Sequence, residues 1–251
     1  ARGSHQGESN PMIPRIRVFA GPNGSGKSTL AEWLSKDYSV NLYQYINADQ
    51  MFSEIDRTLM LACPLPMDNE SLLAYTNNST FPDKHKAYYA SGNIQIKDDF
   101  VIFTRDAVNS YTVAMLADFF RSEFLANGFS FSCETVFSHP SKIELLKIAQ
   151  LKGFRTYLYF VSTECPENNI NRVASRVKEG GHDVPYDKIV ERFQRCLDNV
   201  SLALPCLNRA YFFDNTGTDI RFLGEVNEGN WKLYTSRLPQ WFIKSVYHNF
   251  Q

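Results

Sequence analysis

Apolar and polar positions along the 251 residues change period repeatedly. Short apolar runs alternate with longer stretches in which apolar side chains return every third or fourth position. The runs Ile16 to Ala20, Val40 to Ile46, Phe129 to Cys133, Thr156 to Val161 and Ala210 to Phe213 read as buried strands. Helical spacing follows the first run at Ser28 to Ser35, where Leu30, Trp33 and Leu34 share a face. It returns at Ser110 to Ala126, Ser141 to Lys152, Asn168 to Val177 and Tyr186 to Leu204, the last carrying Ile189, Phe193, Cys196 and Leu197. Strands that alternate with helices predict an α/β chain with a mainly parallel five-stranded core sheet and helices on both faces, a three-layer fold. Ligands of such a sheet sit at the carboxyl ends of the strands.

The rhythm breaks between Phe52 and Asp99, where Pro64, Pro66, Asn77, Asn78 and Pro82 interrupt short apolar runs. This stretch reads as an insertion at about 52–99 beside a single domain covering 12–251, either a source of substrate contacts or a stabilising lobe. Residues 1–11, with Arg2-Gly3-Ser4-His5, read as a tag-like or disordered leader, with Met12 as the native start. The tail from Trp231 to Phe250 is aromatic and is expected to pack back onto the body or to form a docking surface.

Composition narrows the class. With 43% apolar and 14% aromatic residues the chain can bury a full core, and a net charge of −1 gives no global basic surface for nucleic acid. Cys63, Cys133, Cys165, Cys196 and Cys206 form no C-x-x-C pair and are odd in number, which argues against a zinc site or a disulfide framework. They are expected as thiols of a reducing cytoplasm. No apolar run approaches the roughly 18–20 residues that cross a bilayer, so a soluble cytoplasmic protein without membrane contact is expected.

The chemistry begins directly after the first run. Gly21-Pro22-Asn23-Gly24-Ser25-Gly26-Lys27-Ser28 fits the phosphate-loop pattern G-x-x-x-x-G-K-S/T at every fixed position. Backbone N–H groups of such a loop, together with the N-terminus of the following helix, bind phosphate oxygens. Residues Gly21 to Thr29 are therefore expected to bind a nucleoside triphosphate, ATP or GTP. Lys27 would bridge the β- and γ-phosphates and the Ser28 hydroxyl would hold Mg²⁺. A plain Gly-rich strand-to-helix connection is the bland alternative.

Asn47-Ala48-Asp49 ends the second run on the same rim, which puts Asp49 in reach of an acceptor hydroxyl as a base; the competing reading makes it the cap of a helix beginning near Gln50. Cys133-Glu134-Thr135 ends the third run and brings a second carboxylate, one that could hold an acceptor or a water on Mg²⁺, or be a buried Glu satisfied by backbone N–H groups. Ser138 and Ser141 read as helix caps. Arg172 and Arg176 stand four residues apart before the loop Lys178 to Pro185, and Arg192 and Arg195 follow. They would close over a triphosphate, or simply form a solvated helix face. Asp214-Asn215-Thr216-Gly217 ends the fifth run near the expected place of the nucleotide base, or forms an Asx turn.

In this order, Gly21 to Leu30, Ile46 to Asp49, Glu134-Thr135-Val136-Phe137-Ser138-His139, Arg172 to Arg176 with Gly180-Gly181-His182-Asp183-Val184-Pro185, and Asp214-Asn215 resemble the zeta-toxin family of P-loop kinases, in particular its chromosomal branch described as predicted ABC-type ATPases. The resemblance implies a kinase-like P-loop NTPase fold and ATP- or GTP-dependent phosphorylation of a hydroxyl on a sugar-nucleotide such as UDP-N-acetylglucosamine. It implies Asp49 as base, phosphate binding by Lys27 and Ser28, acceptor contacts by Glu134 and Thr135, and transition-state charge on Arg176 and Arg192. A protein antitoxin is a further implied partner. Asp49 departs from the family in leading into Gln50-Met51-Phe52 and the insertion. The family is also similar to effectors that phosphorylate NAD, and a nucleotide-dependent switch acting through a protein partner is the reading from another class.

Overall fold

The computed structural model describes residues 12–179 and 183–247. The leader 1–11, the Gly180-Gly181-His182 part of the arginine loop and the end of the aromatic tail from 248 on lie outside the described residues. In chain order the elements are β1 (Arg15–Ala20), α1 (Lys27–Asp37), β2 (Gln44–Ile46), α2 (Ala48–Thr58), β3 (Met60–Ala62), α3 (Asn69–Asn78), α4 (Asp83–Ala90), β4 (Ile94–Lys97) and β5 (Phe100–Phe103). They continue with α5 (Ser110–Ala126), β6 (Phe131–Thr135), α6 (Ser141–Leu151), β7 (Arg155–Ser162), α7 (Pro166–Lys178), α8 (Tyr186–Ala203), β8 (Arg209–Asp214), β9 (Arg221–Asn227), β10 (Asn230–Leu233) and α9 (Gln240–Ser245).

All five apolar runs become neighbours in one sheet ordered β2-β6-β1-β7-β8-β9-β10. The pairs β2–β6, β6–β1, β1–β7 and β7–β8 are parallel. Alternation along β1 sends Phe19 to one face, where it meets Leu30, Ala31 and Leu34 of α1 and stacks on Tyr159 at 4.8 Å. Ile16, Val18 and Ala20 point to the other face and join the larger core, which takes in residues of α5, α6 and α8. Helices thus cover both faces, and the fold is the three-layer α/β arrangement that the pattern predicts.

Two strands extend the sheet beyond the expected five. β9 pairs antiparallel with β8, and β10 pairs antiparallel with β9 through a hairpin whose turn residues Glu228 and Gly229 both have positive φ, 49° and 82°. Gly224 and Glu225 interrupt the apolar alternation of β9. Glu225 is nonetheless buried, because Arg209 Nη2 at 2.6 Å and the Tyr234 hydroxyl at 3.0 Å donate to its carboxylate. β2 is shorter than the run that announced it. Tyr43 turns out of the strand at φ 54°, and Val40 and Leu42 pack as loop residues beside α1.

Residues 60–103 contain a second, antiparallel sheet ordered β3-β5-β4 with α3 and α4. Leu61, Leu72, Tyr89, Ile94, Val101 and Phe103 carry it into the same hydrophobic core as β1 and β6. The aromatic tail packs on the sheet as expected. Trp231 stacks on Phe212 at 5.6 Å, while Trp241 and Phe242 are 4% and 0% exposed. Each such side chain contributes roughly 1.5–3 kcal/mol of burial.

Candidate active site

β1 delivers the chain to Gly21 at the carboxyl rim, and the loop to Gly26 turns it into α1. Two glycines are required by what surrounds them. Gly24 has φ 75°, and a Cβ there would lie 2.6 Å from the carbonyl oxygen of Asn169 in α7. Gly26 has φ 95°, and a Cβ would meet the Asn215 side-chain nitrogen at 2.4 Å. Asn215 itself donates to the Ser25 carbonyl at 2.8 Å, so the loop after β8 clamps the phosphate loop from outside. Lys27 is 8% exposed and folds back to donate to the Pro22 carbonyl at 3.0 Å. Loop, ammonium and helix N-terminus together form a concave donor set suited to a polyphosphate.

The parallel register of β1 and β6 sets Glu134 beside Phe19 and Thr135 beside Ala20. Glu134 therefore leaves the strand on the α1 side, next to the loop. Its Oε2 accepts from the Ser28 hydroxyl at 2.8 Å, the Tyr45 hydroxyl at 2.7 Å and the Asn47 side-chain amide at 2.9 Å. These are side-chain donors, not the backbone N–H groups of the buried-Glu alternative. Burial, reinforced by Glu134, pushes the Tyr45 phenol far above its ordinary pKa and keeps it a proton donor. Thr135 is half-buried and accepts from the Phe137 N–H at 3.3 Å. The following turn is tied to α8, where Cys196 Sγ donates to the Val136 carbonyl at 2.7 Å and Asn199 to that of Phe137 at 2.9 Å.

The cap of α2 is Asn47, not Asp49. The Asn47 Oδ1 accepts from the Asp49 N–H at 3.0 Å and the Gln50 N–H at 3.4 Å, so the alternative role for Asp49 is taken by the residue two places earlier. The Asp49 carboxylate is 66% exposed and lies 3.9 Å from Arg176 Nη1. Arg172 turns elsewhere and donates to the Gly217 carbonyl at 3.1 Å. Arg192 is half-buried on α8, one turn before Cys196, a thiol near enough to Lys27 for the ammonium to oppose the rise in pKa that burial gives it. Neither Ser138 nor Ser141 caps α6; Pro140 holds that position, and the Ser141 N–H donates to His139 Nδ1 at 3.2 Å.

Asp214 is 1% exposed and is neutralised in place. Trp241 Nε1 at 3.0 Å and Thr216 Oγ1 at 2.7 Å donate to one oxygen and Arg221 Nη2 at 2.7 Å to the other. Its role is to fix the loop that carries Asn215. A cleft of about 150 Å³ opens at the β2 edge between α2 and β3, lined by Gln44, Tyr45, Asn47, Gln50, Glu54 and Phe120 among others, with no Lys or Arg in its wall.

The donor set beside the loop suits a small divalent cation. Ser28 gives its proton to Glu134, which leaves hydroxyl lone pairs for a hard ion whose remaining ligands would be phosphate oxygens and water. Among the described residues there is no cluster of three or more His, Cys, Asp or Glu able to hold a metal alone. No helix among them is long and apolar enough to cross a membrane.

A scan of protein-family models finds no match, and a search of curated proteins finds none. Among solved structures, the AvrRxo1-ORF1:AvrRxo1-ORF2 complex with sulphate ions is similar with a TM-score of 0.53 at 16% identity, over 91% of this chain and 63% of that chain. The same complex with ATP gives 0.53 at 17% identity, over 90% and 62%. The chain shares the fold of these AvrRxo1 structures. A structure from the PezAT chromosomal toxin–antitoxin system of Streptococcus pneumoniae gives a TM-score of 0.48 at 15% identity, over 83% and 70%. Identities this low show a shared fold alone, and the chain spans less than two thirds of the length of the AvrRxo1 chains.

Sequence reasoning missed Tyr45 and Asn169 as site residues, gave Asn47 no role, and placed Asn215 near the nucleotide base without its contact to the phosphate loop. Asn47 had a readable signal in the helix-capping position before Ala48. Asn169 had none, and the contact of Asn215 with Gly26 had none either, since both come from lying against glycines far away in sequence.

Proposed function

We propose that the chain is an ATP-dependent small-molecule kinase that moves the γ-phosphoryl group to a hydroxyl of a nucleotide-like acceptor. The observation that carries this reading is the convergence on one rim of the phosphate loop, the Ser28–Glu134 pair and the Asp49–Arg176 pair. The AvrRxo1 complex solved with ATP, a protein of the same fold, supports ATP as donor.

Loop N–H groups and Lys27 hold the β- and γ-phosphates. Mg²⁺, when bound through Ser28, neutralises phosphate charge and fixes the triphosphate for in-line attack. Asp49 accepts the hydroxyl proton as the acceptor oxygen bonds to the γ-phosphorus; the bond to the β,γ-bridging oxygen breaks and ADP leaves. Arg176, beside Asp49, and Arg192 spread the charge of the transferring group. Glu134 and Thr135, at the end of β6, would contribute acceptor contacts. The polar wall of the cleft at β2, with the amides of Gln44, Asn47 and Gln50, the Tyr45 hydroxyl and the Glu54 carboxylate, suits a hydroxyl- or amide-bearing ring of that acceptor, as in a sugar-nucleotide such as UDP-N-acetylglucosamine.

The test is incubation with labelled ATP and a panel of UDP-sugars, NAD and nucleosides, with products identified by mass. A phosphorylated UDP-sugar confirms the acceptor class, and phosphorylated NAD moves it to dinucleotides. ATP hydrolysis without transfer to any of them overturns the kinase reading in favour of a switch. A protein partner is a second proposal, supported by the two-protein AvrRxo1 complexes and tested by whether a co-encoded small protein suppresses transfer.

A further inference from the structure

One oxygen of Glu134 accepts three side-chain donors, and only one of them belongs to the phosphate loop. The other two come from the edge strand β2 and the start of α2. Tyr45 lies edge-on to the buried Phe19 at 6.1 Å, and its single hydroxyl proton goes to Glu134. Asn47 is held from its other end, since its carbonyl oxygen caps α2. Both anchors are therefore rigid, and both reach the same oxygen.

The consequence runs through Ser28. A serine hydroxyl has one proton and two lone pairs. While Glu134 stays in place it takes that proton, and the lone pairs face the phosphate side. A Glu134 free to swing would release the proton, and the hydroxyl could then turn it toward phosphate and point a lone pair away. We infer that Tyr45 and Asn47 are positioning residues that lock Glu134 so that Ser28 presents a lone pair to the divalent cation of the nucleotide. This rests on the proposed nucleotide-binding role of the loop and adds two residues outside the phosphate-loop motif to the cation's support. Tyr45 and Asn47 also line the cleft at the β2 edge, so an acceptor seated there touches the groups that steer the cation.

The experiment uses the full chain with a non-hydrolysable ATP analogue and Mn²⁺ as the paramagnetic probe, read by electron paramagnetic resonance. Tyr45→Phe removes one hydroxyl and keeps the ring against Phe19. Asn47→Ser keeps a helix-cap oxygen and loses the reach to Glu134. Partners standing behind a metal ligand typically change metal affinity by about 10–100-fold, so each variant is expected to weaken Mn²⁺ binding by about 10-fold. Affinity for the analogue in excess chelator, measured alongside, should be retained. A role confined to packing would lower the melting temperature and leave Mn²⁺ affinity unchanged. Parental Mn²⁺ affinity in both variants overturns the inference alone, as does a loss of analogue affinity in chelator equal to the loss for Mn²⁺. A parental chain that binds no analogue overturns the nucleotide reading and this inference with it.

Discussion

Replacing Asp49 by Asn separates catalysis from folding, because the structure leaves this carboxylate little to do for stability. The cap of α2 is supplied by Asn47, and the carboxylate is 66% exposed. Its ion pair to Arg176 at 3.9 Å is of the solvated kind that contributes about 0–1 kcal/mol. An amide in the same place keeps the volume and the polarity of the helix terminus but cannot accept the hydroxyl proton. Positioned general bases contribute about 10²–10⁴-fold, so transfer should fall by that factor while the melting temperature moves little. The assay is formation of phosphorylated acceptor at saturating ATP, with ATP affinity and thermal unfolding measured on the same preparation. Transfer by Asp49→Asn near the parental rate would refute the assignment, and a loss in a parallel Glu134→Gln variant would then move the base to Glu134 on β6. Equal loss of ATP affinity and transfer would refute it differently, by making Asp49 a binding group.

Lys27→Ala should lower transfer by about 10²–10³-fold with native circular dichroism, since it removes charge at the triphosphate; parental transfer would sink the phosphate-loop assignment. Arg176→Ala and Arg192→Ala should reduce kcat much more than ATP affinity, because their contacts strengthen as charge develops; unchanged kcat in both removes them from the mechanism. The cluster of the buried Arg121 with the half-buried Asp118 and Lys142 sets an acid limit on stability. Burial raises the Asp118 carboxyl, but Arg121 and Lys142 outweigh it and hold its pKa at about 2, below the ordinary 3.8. A depressed carboxyl stabilises fully above its unfolded pKa and loses that contribution as pH falls through the folded one. Melting temperature should therefore drop between about pH 4 and 2 in the parental chain. Asp118→Asn should lack that step and be less stable by about 3–5 kcal/mol at neutral pH, having left Arg121 buried without its counter-charge.

Much of the frame is legible in the residues because it is written locally. A glycine pattern specifies the phosphate loop, and apolar period specifies the five core strands and the helices from Ser110 onward, since both depend on neighbours within a few positions. β9 and β10 were not legible by period. A glycine and a buried glutamate break the alternation, and the partners that make Glu225 tolerable come from elsewhere, Arg209 from β8 and Tyr234 from just past the end of β10.

The candidate site divides in the same way. Asp49 and Glu134 stand out as acidic residues at strand ends, but nothing local says which of them is tied and which is exposed. That was decided by the register of β6 against β1 and β2, which brings Ser28, Tyr45 and Asn47 to one oxygen of Glu134 across sequence separations of 106, 89 and 87 residues. The meeting of Asp49 with Arg176 and of Asn215 with the phosphate loop has the same origin. The sequence by itself determined which chemical groups stand at the rim. The packing of parallel strands determined which of them face one another, because a hydrogen-bond partner is chosen by distance in space and the chain encodes that distance only through the whole fold.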